Sequence, residues 1–190
     1  GADSYLTTSM KSVGEAMSIG RSFNESLQKG FNSLEYGLSG LDTPKDINQD
    51  KNFIMNELKL QSSQRLLFVG EALRQGKSPE EIQKITKYDK WFINQIQFLI
   101  NLEKIIFKNG LEKNTILVAK KNGFSDSKIS SILKINESDV RIFRNNNKIN
   151  PVFRLVDTCA GEFNSKTPYL YSTYDWEFEN FKFCESKPTD

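Results

Sequence analysis

Two groups of side chains have types and spacing that could support chemistry. Asp175, Glu177 and Glu179 alternate along the chain, so an extended backbone would place their carboxylates on one face, where they could bind a cation. The glycine-containing segment 10–19 suggests phosphate or metal chemistry, but it matches neither of the glycine-rich phosphate-binding patterns. A solvated acidic face and a structural strand are therefore the interpretations that we favour.

The composition removes the commonest catalytic groups. The 190 residues include no histidine, which excludes histidine-based zinc sites and Ser-His-Asp or Cys-His catalysis. Cys159 and Cys184 are too few for a tetrathiolate site and do not form a CxxC pair. Neither has an obvious activating neighbour, so we interpret both as structural thiols in a reducing compartment. These exclusions argue against a free-standing enzyme, and we expect no metal or cofactor to bind within the chain.

The charge balance also limits the class of partner. The chain has 26 lysines and arginines against 24 aspartates and glutamates, which leaves a net charge of +2. Proteins that bind nucleic acid or membranes mainly through electrostatics carry a strong basic excess or a basic stripe. The sequence has no apolar run long enough to span a bilayer and no signal peptide, so we expect a cytoplasmic protein without membrane or nucleic-acid partners.

Helix start signals recur along most of the chain and predict a mainly α fold. The strongest is Ser78-Pro79-Glu80-Glu81, which combines an N-cap, a proline at the first helical position and a glutamate at the third. Ser22 with Glu25 predicts a capping box and a helix that continues to Leu38. Further helices are predicted to start at Asp50, Ser62 or Ser63, Asp89, Thr115, Ser125 and Asn136.

The longest helix is predicted between Asp89 and Asn109. Its apolar residues recur at helical spacing and indicate a broad buried stripe. The stripe is expected to contain Phe92, Ile96, Leu99, Ile100 and Ile106, widened by Trp91, Ile93 and Leu102.

Both ends of the chain differ from this helical pattern. Residues 13–19 show a rough alternation typical of a strand, and the segments after Pro151 are aromatic and β-branched without helical period. So much apolar surface needs burial. We therefore assign the aromatic residues of the last segment to a seam between domains: Tyr169, Tyr171, Tyr174, Trp176 and Phe178.

Residues 123–148 offer an alternative function, because two short helices joined by a tight turn fit a helix-turn-helix DNA-binding motif. The second helix would read base edges, yet Glu137 and Asp139 lie at its N-terminus, where they would face phosphates. Two packed helices in a bundle are the favoured interpretation.

Three segments resemble one known family. Residues 10–21 and 25–40 resemble the end of the carboxyphosphate-forming ATP-grasp domain of carbamoyl phosphate synthase large subunits. Residues 70–103 are similar to the central helices of the oligomerisation domain that follows the ATP-grasp domain. The segments VDTCAGEF at 156–163 and YLYSTY at 169–174 are similar to the end of that oligomerisation domain. The resemblance covers the whole chain in order, and in that family the helices equivalent to 123–148 read no DNA.

The resemblance implies a division of the chain at residue 40. Residues 1–40 would close the first synthetase domain, and residues 41–190 would form a multi-helix oligomerisation domain with short extended segments at both ends. The family makes carbamoyl phosphate from bicarbonate, glutamine-derived ammonia and two ATP, for arginine and pyrimidine synthesis. Its ATP, Mg or Mn and K ligands lie outside this chain, so the resemblance carries over no catalytic residue.

The resemblance also implies partners. These are the two synthetase halves and the allosteric domain of the large subunit, the glutaminase small subunit, and further copies in a homo-oligomer. A two-fold interface needs a self-complementary patch. We assign that patch to the helix from Asp50 to Leu58, whose apolar residues exceed what one buried face needs: Phe53, Ile54, Met55 and Leu58. Packing of all four inside the domain is an alternative of equal weight.

Overall fold

A computed structural model describes residues 7–9, 12, 15–34, 36–43, 50–159, 161–163 and 169–174. Within them, eight α-helices precede a two-stranded antiparallel sheet, which confirms the mainly α fold. The helices are α1 (Phe23–Ser33), α2 (Lys51–Lys59), α3 (Arg65–Arg74), α4 (Pro79–Thr86), α5 (Lys90–Asn109), α6 (Lys113–Lys121), α7 (Asp126–Leu133) and α8 (Glu137–Asn146). The strands are β1 (Val152–Leu155) and β2 (Leu170–Thr173).

Side-chain caps start most helices where the sequence predicts them. Ser78 and Glu81 form a complete capping box on α4, since the Ser78 hydroxyl accepts from the Glu81 N–H and the Glu81 carboxylate accepts from the Ser78 N–H. Asp89 caps α5 without a capping box, because its carboxylate accepts from the Trp91 N–H. At α1 the Ser22 hydroxyl accepts from the Glu25 N–H, but the Glu25 carboxylate accepts from the Arg21 N–H instead of closing the box.

Helix α1 ends earlier than predicted. The backbone is already extended at Leu34, and Gly37 has a positive φ of 66°. This turn brings Leu41 back onto α1, where its N–H donates to the Gln28 side-chain oxygen at 2.6 Å. Leu41 is almost completely buried. The free energy gained by burying its side chain outweighs the free energy that another turn of α1 would contribute.

The core is organised around α5, which packs against α1, α3, α4, α6 and α7. Its inner side carries the predicted buried stripe, namely Ile93, Ile96, Leu99, Ile100, Leu102 and Ile106. Trp91 and Phe92 are corrections to that stripe, because their side chains are 51% and 44% exposed. They lie in the first turn of α5, where Phe23 packs edge-on against both rings at centroid distances of 5.5 and 5.2 Å.

The N-terminal segment, the start of α6 and the segments after Pro151 are only partly as predicted. Residues 15–19 form no strand, and the neighbouring residues 10, 11, 13 and 14 lie outside the described part. Helix α6 starts before Thr115, because the Glu112 carboxylate accepts from the Asn114 and Thr115 N–H groups. The extended segments after Pro151 are confirmed by β1 and β2, whose register pairs Val152 with Thr173 and Leu155 with Leu170.

Gly123 allows α1 to approach the end of α6. It has a φ of +83°, and a Cβ there would lie 2.8 Å from the Gln28 Cβ and 3.0 Å from the Glu25 Cα. Gly76 ends α3 with the same pattern of backbone hydrogen bonds and a φ of +87°, but a Cβ there would meet nothing within 4 Å. The two glycines therefore differ in packing and hardly at all in conformation.

We expect Gly123→Ala to destabilise the fold clearly more than Gly76→Ala. Both variants place a side chain in the left-handed region at a cost of about 1–2 kcal/mol. Gly123→Ala also overpacks a contact with helix backbone, which adds about 1–3 kcal/mol. Urea unfolding followed by circular dichroism measures both free energies, and equal losses would contradict the close approach of α1.

Candidate association surfaces

The four residues of the predicted association patch on α2 point into the domain. Ile54 and Leu58 are 1% and 0% exposed, which corrects their assignment to a partner-facing surface in this conformation. Phe53 and Met55 are partly buried against the same core, and the Phe53 ring packs edge-on against Phe68 at 6.1 Å. A helix of nine residues is too short to be stable alone, so α2 depends on the packing of these side chains against the rest of the domain.

A partly buried charge cluster joins three helices to the loop after α1. The Arg74 guanidinium donates to both Glu103 carboxylate oxygens at 2.8 Å. The Lys128 ammonium lies 3.0 Å from the same carboxylate and 2.8 Å from Asp42. Burial alone would raise the pKa of Glu103, but Arg74 and Lys128 outweigh it, so the pKa lies below its ordinary value. The cluster fixes α3, α5, α7 and residue 42 relative to one another.

A second charge cluster lies beneath the strands. Asp126 accepts from the Lys120 ammonium at 2.9 Å and from the Arg144 guanidinium at 2.7 Å. Burial would raise the pKa of Asp126, but hydrogen bonds and charge from Arg144 and Lys120 hold it below the ordinary range. Burial lowers the pKa of Lys120 despite the attraction of Asp126. The Tyr174 ring covers both cations, with Lys120 at 5.1 Å and Arg144 at 5.9 Å from its centroid.

The structure separates the predicted aromatic seam into different environments. Tyr174 and Tyr171 face the domain and are partly buried, and the Lys29 ammonium lies 5.7 Å from the Tyr171 ring centroid. Tyr169 is 61% exposed. Trp176 and Phe178 lie outside the described residues, as do the three alternating acids at 175, 177 and 179.

The outer face of the strand pair is an apolar surface that the sequence reasoning missed. Leu155 and Leu170 lie opposite each other and are 48% and 53% exposed, and Phe153 beside them is 57% exposed. Val152, Arg154, Tyr171 and Thr173 alternate with them on the inner face. Apolar and polar residues do not alternate in VFRL or LYST, so the sequence offered only the geometry of a strand, in which one side faces out once the other packs inward. We call Phe153, Leu155 and Leu170 the hairpin face.

The arrangement of α7 and α8 does not favour DNA reading. The first turn of α8 carries Glu137 and Asp139, which repel phosphates. Its arginines are already paired, because Arg141 contacts Glu137 at 3.0 Å and Arg144 is held by Asp126.

Among the residues that the structure describes, no three cysteine, aspartate or glutamate side chains converge in a way that could hold a metal ion. None of the described helices combines the length and apolarity needed to cross a bilayer.

Comparison with known proteins identifies one family across the chain. The family model described as "Carbamoyl-phosphate synthetase large chain, oligomerisation domain" matches residues 15–148. The carbamoyl phosphate synthase large chains of Vibrio cholerae and Buchnera aphidicola are 42% and 43% identical to it over 195 aligned residues that include the whole chain. The Pseudomonas aeruginosa large chain is 40% identical over 193 residues and 99% of the chain. The chain spans only 17–18% of the length of these relatives.

We expect Asp126→Asn to destabilise the fold by about 3 kcal/mol, because it leaves two buried cations without their counter-charge. The folded-state pKa of Asp126 lies below its ordinary 3.8, so its contribution is present above about pH 4 and is lost as the pH falls through the folded-state value. The difference between wild type and variant should therefore shrink below pH 4 in urea unfolding.

Glu137→Gln is the matched control, because Glu137 and Arg141 form a carboxylate–arginine pair at 3.0 Å with both side chains exposed. It should change stability by no more than about 0.5 kcal/mol. Equal effects of the two substitutions would mean that burial of the Asp126 cluster does not matter.

Proposed function

The chain belongs to the family of carbamoyl-phosphate synthetase large-chain oligomerisation domains, and from that premise we propose that it is a non-catalytic, self-associating domain of a carbamoyl phosphate synthase large chain. The observation that carries this proposal is similarity over the whole chain to a small, defined part of much longer relatives. The described residues offer packed helices and exposed apolar surfaces, which suit a structural role.

The parent enzyme in this proposal makes carbamoyl phosphate from bicarbonate, glutamine-derived ammonia and two ATP, for arginine and pyrimidine synthesis in the cytoplasm. ATP, Mg or Mn and K would bind to its synthetase parts. A glutaminase subunit would supply ammonia, and an allosteric domain would bind effectors. The present chain would hold the two synthetase halves at a fixed separation, so that unstable intermediates pass through protein and not through water.

The packing supports a rigid connection between residues up to 40 and the helices that follow. Phe31 of α1 lies in the same core as α5. The Ser125 hydroxyl of α7 donates to the Ser39 carbonyl at 2.9 Å, and the Lys128 ammonium pairs with Asp42. Contacts on both sides of residue 40 would pass the orientation of the first synthetase domain directly to the helical domain.

The hairpin face is our candidate contact with another part of the large chain. Phe153, Leu155 and Leu170 are side by side and each is about half exposed. A contiguous exposed apolar surface marks an interaction site in a soluble protein. The strand pair that carries it is held from beneath by Tyr174 and by the Lys29 ammonium, which donates to the Ser172 carbonyl. The surface is therefore presented on a fixed support.

Self-association is tested by the solution mass of the chain. Multi-angle light scattering over a wide concentration range should give at least twice the monomer mass of 21.8 kDa at high concentration. The mass should fall on dilution as a reversible equilibrium requires. A monomer at every concentration would contradict the self-associating role of this chain.

The non-catalytic role makes a separate prediction. Bicarbonate-dependent release of phosphate from ATP by the chain should not exceed that of a heat-inactivated sample in buffer with Mg and K. Phosphate release in proportion to protein concentration would overturn this part of the proposal and leave the association result unaffected.

A further inference from the structure

The outer side of α5 carries an exposed apolar stripe with regular spacing. Trp91, Phe98 and Ile105 follow one another at intervals of seven residues and are 51%, 45% and 47% exposed. Three exposed polar residues lie between and after them, each three positions further along: Asn94, Asn101 and Lys108. Spacings of three and four in alternation are those of the a and d positions of a coiled coil. We call these six residues the α5 seam.

We propose that the α5 seam is the surface through which two copies of this chain associate, with the two α5 helices antiparallel about a two-fold axis near residues 99–100. This inference rests on the proposed self-association and names its surface. A helix of 20 residues is about 30 Å long, which accommodates all six seam positions of each copy.

The antiparallel arrangement follows from where the polar seam residues fall. It places an a position of one copy beside a d position of the other. Phe98 then lies beside Asn101 of the partner subunit and Ile105 beside Asn94 of the partner subunit. Each layer holds one apolar and one polar side chain, so the apolar contacts continue along the whole seam. The amides are free to hydrogen-bond at its edges.

Charge distinguishes this arrangement from the parallel one. Lys108 is the only charged seam residue, and antiparallel packing places it beside Trp91 of the partner subunit, where a cation–π contact is favourable. Parallel packing would instead place each residue beside its equivalent in the other copy. The two Lys108 ammonium groups would then lie side by side, and Asn94 and Asn101 would each form a layer that contains only amides. At the flank, Lys104 would lie opposite Gln97 of the partner subunit. Lys90, which precedes Trp91 and would lie near Lys108 of the partner subunit, is already paired with Glu80.

A second copy is therefore a better occupant than an unrelated partner. The seam contains no carboxylate, and the nearest one on α5, Glu103, is held inside the domain by Arg74 and Lys128. A copy of the same helix supplies an apolar side chain for each polar one, and it adds no uncompensated carboxylate to the seam. A two-fold interface of this kind is self-complementary by construction.

The surface is tested by Phe98→Glu, measured by light scattering and sedimentation equilibrium on the full chain. Two carboxylates brought into the centre of the seam should raise the dissociation constant at least 100-fold, leaving a monomer where wild type associates. Phe107→Glu is the matched control, because Phe107 is on the same helix and 68% exposed but lies off the seam. It should associate like wild type, and circular dichroism should give the same helix content for all three proteins.

The outcomes separate this inference from the proposed function. A wild-type chain that associates while Phe98→Glu associates equally well would overturn the α5 seam and leave self-association standing. Loss of association in Phe107→Glu as well as in Phe98→Glu would also overturn it, because added charge anywhere on the helix would then suffice. A wild-type chain that stays monomeric would overturn self-association itself.

The orientation is tested by cysteine cross-linking in a Cys159→Ser, Cys184→Ser background. A mixture of Asn94→Cys and Ile105→Cys chains should form a disulfide-linked dimer, and neither variant should do so alone. In the antiparallel pair the two residues at position 105 are offset by eleven residues, or about 16 Å, beyond the reach of a disulfide. Cross-linking of Ile105→Cys by itself would overturn the antiparallel arrangement.

Discussion

The largely buried carboxylate of Glu103, whose side chain is 15% exposed, is the constraint on which the arrangement of the helices depends. A buried charge is tolerated only when it is paired and hydrogen-bonded, so α5 must keep Glu103 against Arg74 of α3 and Lys128 of α7. The Arg74 guanidinium also donates to the Leu41 carbonyl at 2.5 Å, which ties the loop after α1 to the same point. The buried apolar stripe already determines which side of α5 faces the core, and the ion cluster adds hydrogen bonds that require a defined distance and angle. The ion cluster and the apolar stripe together fix one rotation of the helix about its axis.

That rotation decides what α5 presents to solvent. Glu103 is five positions beyond Phe98, which places the two side chains about 140° apart around the helix. With Glu103 held inside, the face that contains Trp91, Phe98 and Ile105 is turned outward, where all three are about half exposed. The second cluster acts similarly on the strands, because Tyr174 rests on the two cations that pair with Asp126 and the hairpin face is turned away from them. Interior electrostatics thus orients two apolar exterior surfaces.

Sequence reasoning succeeded where the relevant interaction is local. The capping box of Ser78 and Glu81 and the Asp89 cap involve residues two or three positions apart, so their pattern can be read without knowing the fold. It failed where burial depends on distant elements. The apolar pattern of α2 did not reveal that Ile54 and Leu58 are both buried in the core. The pattern of α5 did not reveal that Trp91 is half exposed to solvent. Neither ion cluster could be predicted, because Arg74 and Glu103 are 29 residues apart and only the fold brings them together.

The polar residues of the α5 seam reconcile solubility with selective pairing. A helix face with apolar residues at every a and d position would bury more surface but would accept many partners and registers. Asn94 and Asn101 interrupt the apolar surface of the single copy, and a register shifted by a single layer would place amide against amide and ring against ring. Polar seam positions cost stability and fix register and orientation. The proposed role of the domain is to set distances between catalytic units. That role requires a defined register and orientation of the two α5 helices more than it requires tight association.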